Sequence, residues 1–212
     1  SNNTFKDYIM KTGVDFEKEI VKYIDNNIHN VIKVSDYITE NTCDLSINLM
    51  KKGIPILHSV PFMNKNNNTK GVIDLLVRSD YINKLIETPV LSDIEICKKA
   101  SKLLGNYHYV VVDIKFSTLP LLSDGKHLQN TDKMAAYKAQ LLIYTQGIHM
   151  IQGYKSPYAF ILGRRYKYTN KGAIISSNNC LKSLGTIDYT KNDKKYINKT
   201  KKAIKWIRNV KL

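Results

Sequence analysis

With 212 residues, 43% of them hydrophobic, the chain has the length and apolar content of one globular domain with a full core. Thirty-three Lys and Arg against 18 Asp and Glu leave a net charge of +15, which favours a polyanionic partner. No apolar run approaches the ~18 residues that span a bilayer and the N-terminal stretch lacks the basic, apolar and small-residue regions of a signal peptide, so a soluble, intracellular protein with no membrane partner is expected.

Thr4 to Met10 suits a short helical turn, and Gly13 precedes a stronger helix, about Val14 to Asn27. At 100° per residue Phe16, Ile20, Val21, Tyr23, Ile24 and Ile28 form its apolar arc. Glu17 falls inside that arc, Glu19 at its edge, and Lys18 and Lys22 lie opposite. A carboxylate inside an apolar face is costly unless it is paired or bound to metal. Glu17 therefore reads either as half of a buried salt bridge, with Lys115 as one partner, or as a site acid. Val31 to Val34 suits a short strand, and Leu45 to Lys52 a helix stopped by Gly53. Ile54 to Phe62 and Gly71 to Val77 read as strands joined by the polar tip Asn64 to Asn68, an antiparallel hairpin. His58, in the first of them, reads as a core histidine or a support for a ligand sooner than as a ligand itself. The second strand carries one carboxylate, Asp74, in an otherwise apolar run.

Ser92-Asp-Ile-Glu95 has the form of a capping box and predicts a helix to about Leu104, with Gly105 as its stop. Tyr109 to Phe116 is rich in β-branched and aromatic residues and reads as a buried strand. Asp113 and Lys115 interrupt it, two apart and so on one face, roughly 6–7 Å from each other. They fit a structural ion pair as well as a working pair. Thr118 to Thr131, with Pro120, Asp124-Gly125, Lys126 and His127, predicts a long irregular connection, either solvated or bordering a ligand path. Asp132 to Gln152 predicts a helix with Tyr137, Gln140 and Tyr144 on one stripe, at i, i+3 and i+7. Pro157 to Leu162 suits a strand ending in Gly163-Arg164-Arg165-Tyr166-Lys167, and arginines at a strand end suit bidentate phosphate contacts. Leu184 to Tyr189 suits a last edge strand. A basic C-terminal helix, about 192–210, places Ala203, Trp206, Ile207 and Val210 on its buried side; its lysines are either a solvated face or a DNA-facing one. The order α, β-hairpin, α, β, α, β predicts a single α/β domain over 1–212, with a mixed central sheet flanked by helices.

Three short patterns recur in a known order. Gly71-x-x-Asp74, Asp113-x-Lys115 and Gln140-x-x-x-Tyr144, each on the expected element, resemble the RecB-like and lambda-exonuclease branch of the PD-(D/E)xK nucleases, over about Thr12 to Lys167. The resemblance implies a restriction-endonuclease-like core and a Mg²⁺- or Mn²⁺-dependent DNA nuclease. Exonuclease action is expected, in DNA repair, recombination, replication or defence, on single- or double-stranded DNA and in some relatives beside a helicase. It also gives Glu17 a place, since the family carries G-x-x-x-E on its first helix and Gly13 and Glu17 match that pattern. Some CRISPR-associated members hold an iron–sulfur cluster on four cysteines. Here Cys43, Cys97 and Cys180 are dispersed and odd in number, so no cluster, zinc site or disulfide framework is expected. The 39-residue step from Asp74 to Asp113 is long for the superfamily, and the helix from Ser92 accounts for it. Lysine far outnumbers arginine, and Asn, Ile and Tyr are abundant, as in a protein from an AT-rich genome such as that of a large DNA virus; cytoplasm, nucleus or a viral factory would then be its place of action.

In that reading Asp74, Asp113, the Ile114 carbonyl and Glu17 hold the ion through hard oxygen donors. The ion lowers the pKa of a water and polarises a phosphoryl oxygen. Lys115 stabilises the attacking water or the developing charge. Gln140 and Tyr144 face the site, and Tyr137, Lys126, Arg164 and Arg165 border the DNA. The alternative is a nuclease-fold module, part of a larger complex, that binds DNA without cutting it; an RNA-processing nuclease is another. Exo- and endonucleolytic action fit the motifs equally, and relatives range from toroids to monomers and helicase appendages.

Overall fold

The computed structural model describes residues 2–210, and the side chains of 11–131 and 133–210 within them. The chain is α/β, with a mixed sheet of seven strands flanked by helices, consistent with a restriction-endonuclease-like core. No helix among the described residues is long and apolar enough to cross a membrane.

The chain opens with α1, Asn2–Asn27, a single helix where a short turn and a separate helix were expected. Strand β1 (Ile32–Lys33) pairs parallel with β2 (Ile56–Asn64), and α2 (Glu40–Lys51) connects them. Thr39 caps α2 through a reciprocal exchange with Thr42, which moves the helix start five residues ahead of the apolar run. Strands β2 and β3 (Thr69–Arg78) form the expected antiparallel hairpin. Beyond β3 come two short turns of helix, α3 (Ser79–Ile82) and α4 (Asp93–Ile96), and then β4 (Tyr109–Pro120), antiparallel to β3. Helix α5 (Asp132–Gln152) crosses over to β5 (Tyr158–Asn170), parallel to β4. The far edge of β5 takes β7 (Gly185–Asp188) along its first half and β6 (Ala173–Ser177) along its second. Helix α6 (Lys195–Val210) ends the described chain.

Each sheet face carries its own apolar cluster. On one, α2, α5 and the root of α6 cover Leu57, Phe62, Tyr109, Val111 and Ile161. On the other, Ile20 and Ile24 of α1 and the 82–91 segment cover Ile56, Leu75, Val110, Val112, Phe160 and Leu162. Gln152, buried at the end of α5, fastens the start of β4: it accepts from the Tyr109 N–H at 2.7 Å and donates to the Tyr109 carbonyl at 3.1 Å.

Four expectations are corrected. The helix from Ser92 stops at Ile96. Ser92 accepts from the Glu95 N–H, but the Glu95 carboxylate accepts from Tyr154 Oη instead of closing the box. The next backbone donors are taken elsewhere, Ala100 by the Tyr107 carbonyl and Lys102 by that of Gln152. The 118–131 segment is ordered where an irregular loop was expected: β4 runs on to Pro120, Leu121 bridges Leu128, and Asp124 accepts from the N–H groups of Lys126 and His127. Strand β5 continues through both arginines and turns at Lys171-Gly172, both with positive φ, into the unexpected β6; two positive-φ residues suit a two-residue hairpin turn. The fourth correction is α6. Only Tyr196 and Thr200 of that helix are buried, whereas Trp206, Ile207 and Val210 are 67%, 48% and 64% exposed. Tyr23 of α1 is likewise exposed, not part of the apolar arc.

Candidate active site

The pairing of β3 with β4 ends at Leu75 and Val112. In the same register the next pair would be Asp74 and Asp113, so the sheet forks where the two carboxylates stand. The fork starts from an irregularity in β3 and its other neighbour. Leu57 and Val60 of β2 lie in the same apolar cluster, as do Ile73 and Leu76 of β3. An odd spacing breaks strand alternation, and the break falls at Ser59, with φ at 50°, and at Asp74 opposite it. A non-glycine residue at positive φ is strained; here it accompanies the turning of Asp74 toward β4. Asp74 Oδ2 accepts from the Ile114 N–H at 2.7 Å, so a side chain takes up a backbone donor at the fork.

Asp113 is 1% exposed. The Lys115 ammonium forms an ion pair with its Oδ2 at 2.8 Å. The electrostatics follow from this crowding. Burial, then repulsion from Asp113, pushes Asp74 up to about 8 against an opposing pull from the Ile114 N–H and Lys115. Burial also raises Asp113, opposed by Lys115. Burial alone would lower Lys115, but the Asp113 carboxylate beside it holds the ammonium above its usual range. Two like charges in a poorly solvated fork with one counter-charge are an arrangement that favours further positive charge.

The α5 stripe closes one side. Lys115 Nζ lies 5.4 Å from the Tyr137 ring centroid. Gln140 Nε2 donates to Tyr144 Oη at 2.8 Å. Burial raises the Tyr144 phenol, and Asp113 and Asp74 add to the effect. The Gly71 of Gly71-x-x-Asp74 has a steric cause: a Cβ there would stand 2.7 Å from Tyr144 Cε1. Gly147, one turn further along α5, makes the matching space for Phe62, whose ring meets Tyr144 edge-on at 5.5 Å. The glycine of one motif thus admits the tyrosine of another.

The other side belongs to α1. Glu17 accepts from or shares a proton with His58, Oε1 to Nε2, at 2.9 Å, and Ser59 Oγ lies 3.3 Å from the same nitrogen. Glu17 is close enough to add to the repulsion on both aspartates. Among the described residues, however, no three His, Cys, Asp or Glu side chains converge to hold a metal ion. Two carboxylates meet; Glu17 is turned to His58, which stands beside the pair as a support. The arginines divide. Arg164 lays its guanidinium over Phe116 at 4.7 Å, and Phe116 packs edge-on against Phe16 of α1 at 5.5 Å. Arg165 lines a groove with Thr118, Pro120 and Lys167. Lys126 is exposed on the turn after β4. Phe116 and Ser59 were given no role from the sequence, and Phe16 only a place in the apolar arc of α1; a bulky aromatic next to Lys115 is the signal that could have found the first.

The donor set fits a hard divalent cation. It offers the oxygens of two poorly solvated carboxylates beside the Ile114 peptide, and a repulsion that a double positive charge relieves. No family model matches the chain, and no curated protein matches it.

Proposed function

We propose that the chain is a divalent-metal-dependent DNA nuclease of the PD-(D/E)xK kind, hydrolysing phosphodiester bonds at the fork between β3 and β4. The observation that carries this reading is the meeting of two poorly solvated carboxylates, Asp74 and Asp113, at the end of their ladder, with the single ammonium of Lys115 at 2.8 Å from Asp113. An ion pair serving structure alone needs one carboxylate; here two share one ammonium. The net charge of +15 supports a polyanionic substrate.

Asp74, Asp113 and the Ile114 carbonyl would hold Mg²⁺ or Mn²⁺, with Glu17, bound through Oε1 to His58, able to contribute its other oxygen. The ion supplies a water of lowered pKa and a Lewis acid for the phosphoryl oxygen. The remaining work falls to side chains of the protein. Lys115, kept protonated by Asp113, places a cation where charge develops on the phosphate. The Gln140–Tyr144 pair presents a phenol and an amide at the wall of the fork, where they orient a phosphate or the attacking water. In the balanced reaction, water adds to phosphorus as one ester P–O bond breaks, and the leaving oxygen takes up a proton. Arg164 and Arg165, at the β5 side, suit the phosphates flanking the cut.

End-labelled linear DNA and closed circular DNA incubated with Mg²⁺ or Mn²⁺ test this reading. Cleavage that stops with chelator and with Asp113→Ala supports it, and digestion of the linear form alone gives the exonuclease. DNA binding without cleavage under both metals replaces it with the non-cutting module.

A further inference from the structure

We propose that α6 is a separate holding site for unpaired nucleotides, with Trp206 as the surface on which a base stacks. The choice of ligand rests on the nuclease reading; the feature itself does not. Over Lys195–Val210 the helix carries Lys195, Lys199, Lys201, Lys202, Lys205 and Arg208 and no acidic residue. Its first two turns are seated. Tyr196 is 4% and Thr200 4% exposed, Ile197 packs on the main cluster, and Tyr196 Oη donates to Asn130 Oδ1 at 3.0 Å. Beyond them the helix presents Trp206 at 67% exposure, and it is the single tryptophan of the chain.

At 100° per residue, Lys199, Lys202, Trp206 and Val210 form one stripe. Lys201, Lys205 and Arg208 form another and border a groove with Asn67 and Gln146. An exposed indole between cations, on a surface without a carboxylate, is complementary to a polyanion with flat apolar units. Single-stranded nucleic acid is such a ligand: its backbone tracks positive charge and its bases stack on aromatic rings without regard to sequence. A bilayer surface is the other ligand that a basic helix with exposed Trp206, Ile207 and Val210 suits, but its free apolar side is confined to the last turns, because Tyr196 and Ile197 pack on the protein.

The position relates the two sites. Ala135, Ala139 and Ile143 of α5 line the groove it shares with α6, while Tyr137, Gln140 and Tyr144 belong to the stripe turned to the aspartates. A strand held on α6 is therefore separated from the fork by one helix, about 10 Å across. Such a site retains one strand while the other end is worked on.

The test uses the whole chain without metal, so that nothing is cut. An oligothymidylate of roughly 15 nucleotides, a length set by the sites of single-strand binders, is titrated while tryptophan emission is recorded, with anisotropy of a labelled copy giving the bound fraction. Quenching that parallels binding and reverses with salt is the expected result. Trp206→Ala should then weaken binding about tenfold, the loss of one stacked base, and Trp206→Phe should restore most of it, with unchanged melting temperature in both. Binding with silent emission, or equal binding by Trp206→Ala, overturns the proposal. So does a blue shift with phosphatidylserine vesicles in place of any response to the oligonucleotide, or a blue shift that grows with protein concentration alone. Absent cleavage with quenching intact would sink the nuclease reading and leave this site standing; cleavage with a silent Trp206 would do the reverse.

Discussion

Two buried clusters of charge in this protein are built to opposite rules. At the root of α6, Lys138 and Asp193 are both fully buried, 2.6 Å apart. The ammonium also donates to the Leu128 carbonyl at 2.8 Å and to Asn130 Oδ1 at 3.2 Å, and Asp193 Oδ2 accepts from the Asp188 N–H at 3.0 Å. Three donors meet three acceptors, and the pair ties α5, the 121–131 turn and the chain after β7 into one unit. At the fork, two carboxylates face one ammonium, Lys115 Nζ standing 2.8 Å from Asp113 Oδ2. Burial costs both clusters the hydration of their ions. The first recovers it with hydrogen bonds and becomes architecture. The second leaves the balance open, and a group held in that state is available to a cation and a substrate.

The contrast can be broken at either end. Lys138→Met leaves Asp193 buried with no counter-ion, a loss of about 3–5 kcal/mol, which in a domain of this size is a fall in melting temperature on the order of 10 °C. Thermal unfolding checks it, and a drop within experimental scatter would show the pair to be dispensable. Lys115→Ala also removes a counter-ion, but Asp74 and Asp113 can share a proton in its place, so a smaller fall in melting temperature than in Lys138→Met is expected, with the rate of metal-dependent cleavage down by about 10²–10³, the usual cost of one electrophilic donor.

A smaller effect distinguishes the clusters by pH. Burial and then Asp113 push Asp74 up to about 8 from an ordinary 3.8, so over that window the folded state holds a proton that the unfolded chain has released. Its contribution to stability is full below about 4 and is lost as pH rises through 8. Asp74→Asn should therefore flatten the decline of melting temperature between those pH values, leaving the variant more stable than the parent at pH 8 by a few degrees and less distinct at pH 4. Parallel profiles for parent and variant would mean that neither burial nor Asp113 holds a proton on Asp74 in solution.

Much of the site was legible because a charge inside a β-branched run stands out: Asp74 in β3, and Asp113 with Lys115 in β4. The α5 stripe was legible from helical spacing, and the glycine at position 71 from its distance to Asp74. The fork was not legible, since the parting of two strands is a backbone event with no residue to mark it. Nor was the turn of Glu17 toward His58, 41 residues away, a choice among several possible partners that only packing makes. Helix propensity after Ser92 lost to tertiary acceptors at Tyr107 and Gln152. In α6 the apolar periodicity was read correctly as a stripe and wrongly as a buried one, because periodicity states which residues share a face and leaves open whether anything covers it. Strand β6 escaped notice for a related reason: with Ile174 at 79% exposure, its alternation has no buried side to report.

The central claim is that the Asp74–Asp113 fork is a divalent-cation site, and calorimetric titration of Mn²⁺ into the protein at neutral pH tests it most directly. The account predicts a single class of binding, released protons as Asp74 ionises, and loss of the heat signal in both Asp74→Asn and Asp113→Asn, while Lys115→Ala still binds. Undiminished Mn²⁺ binding by Asp113→Asn, together with undiminished cleavage of DNA, would contradict it and place the chemistry elsewhere in the molecule.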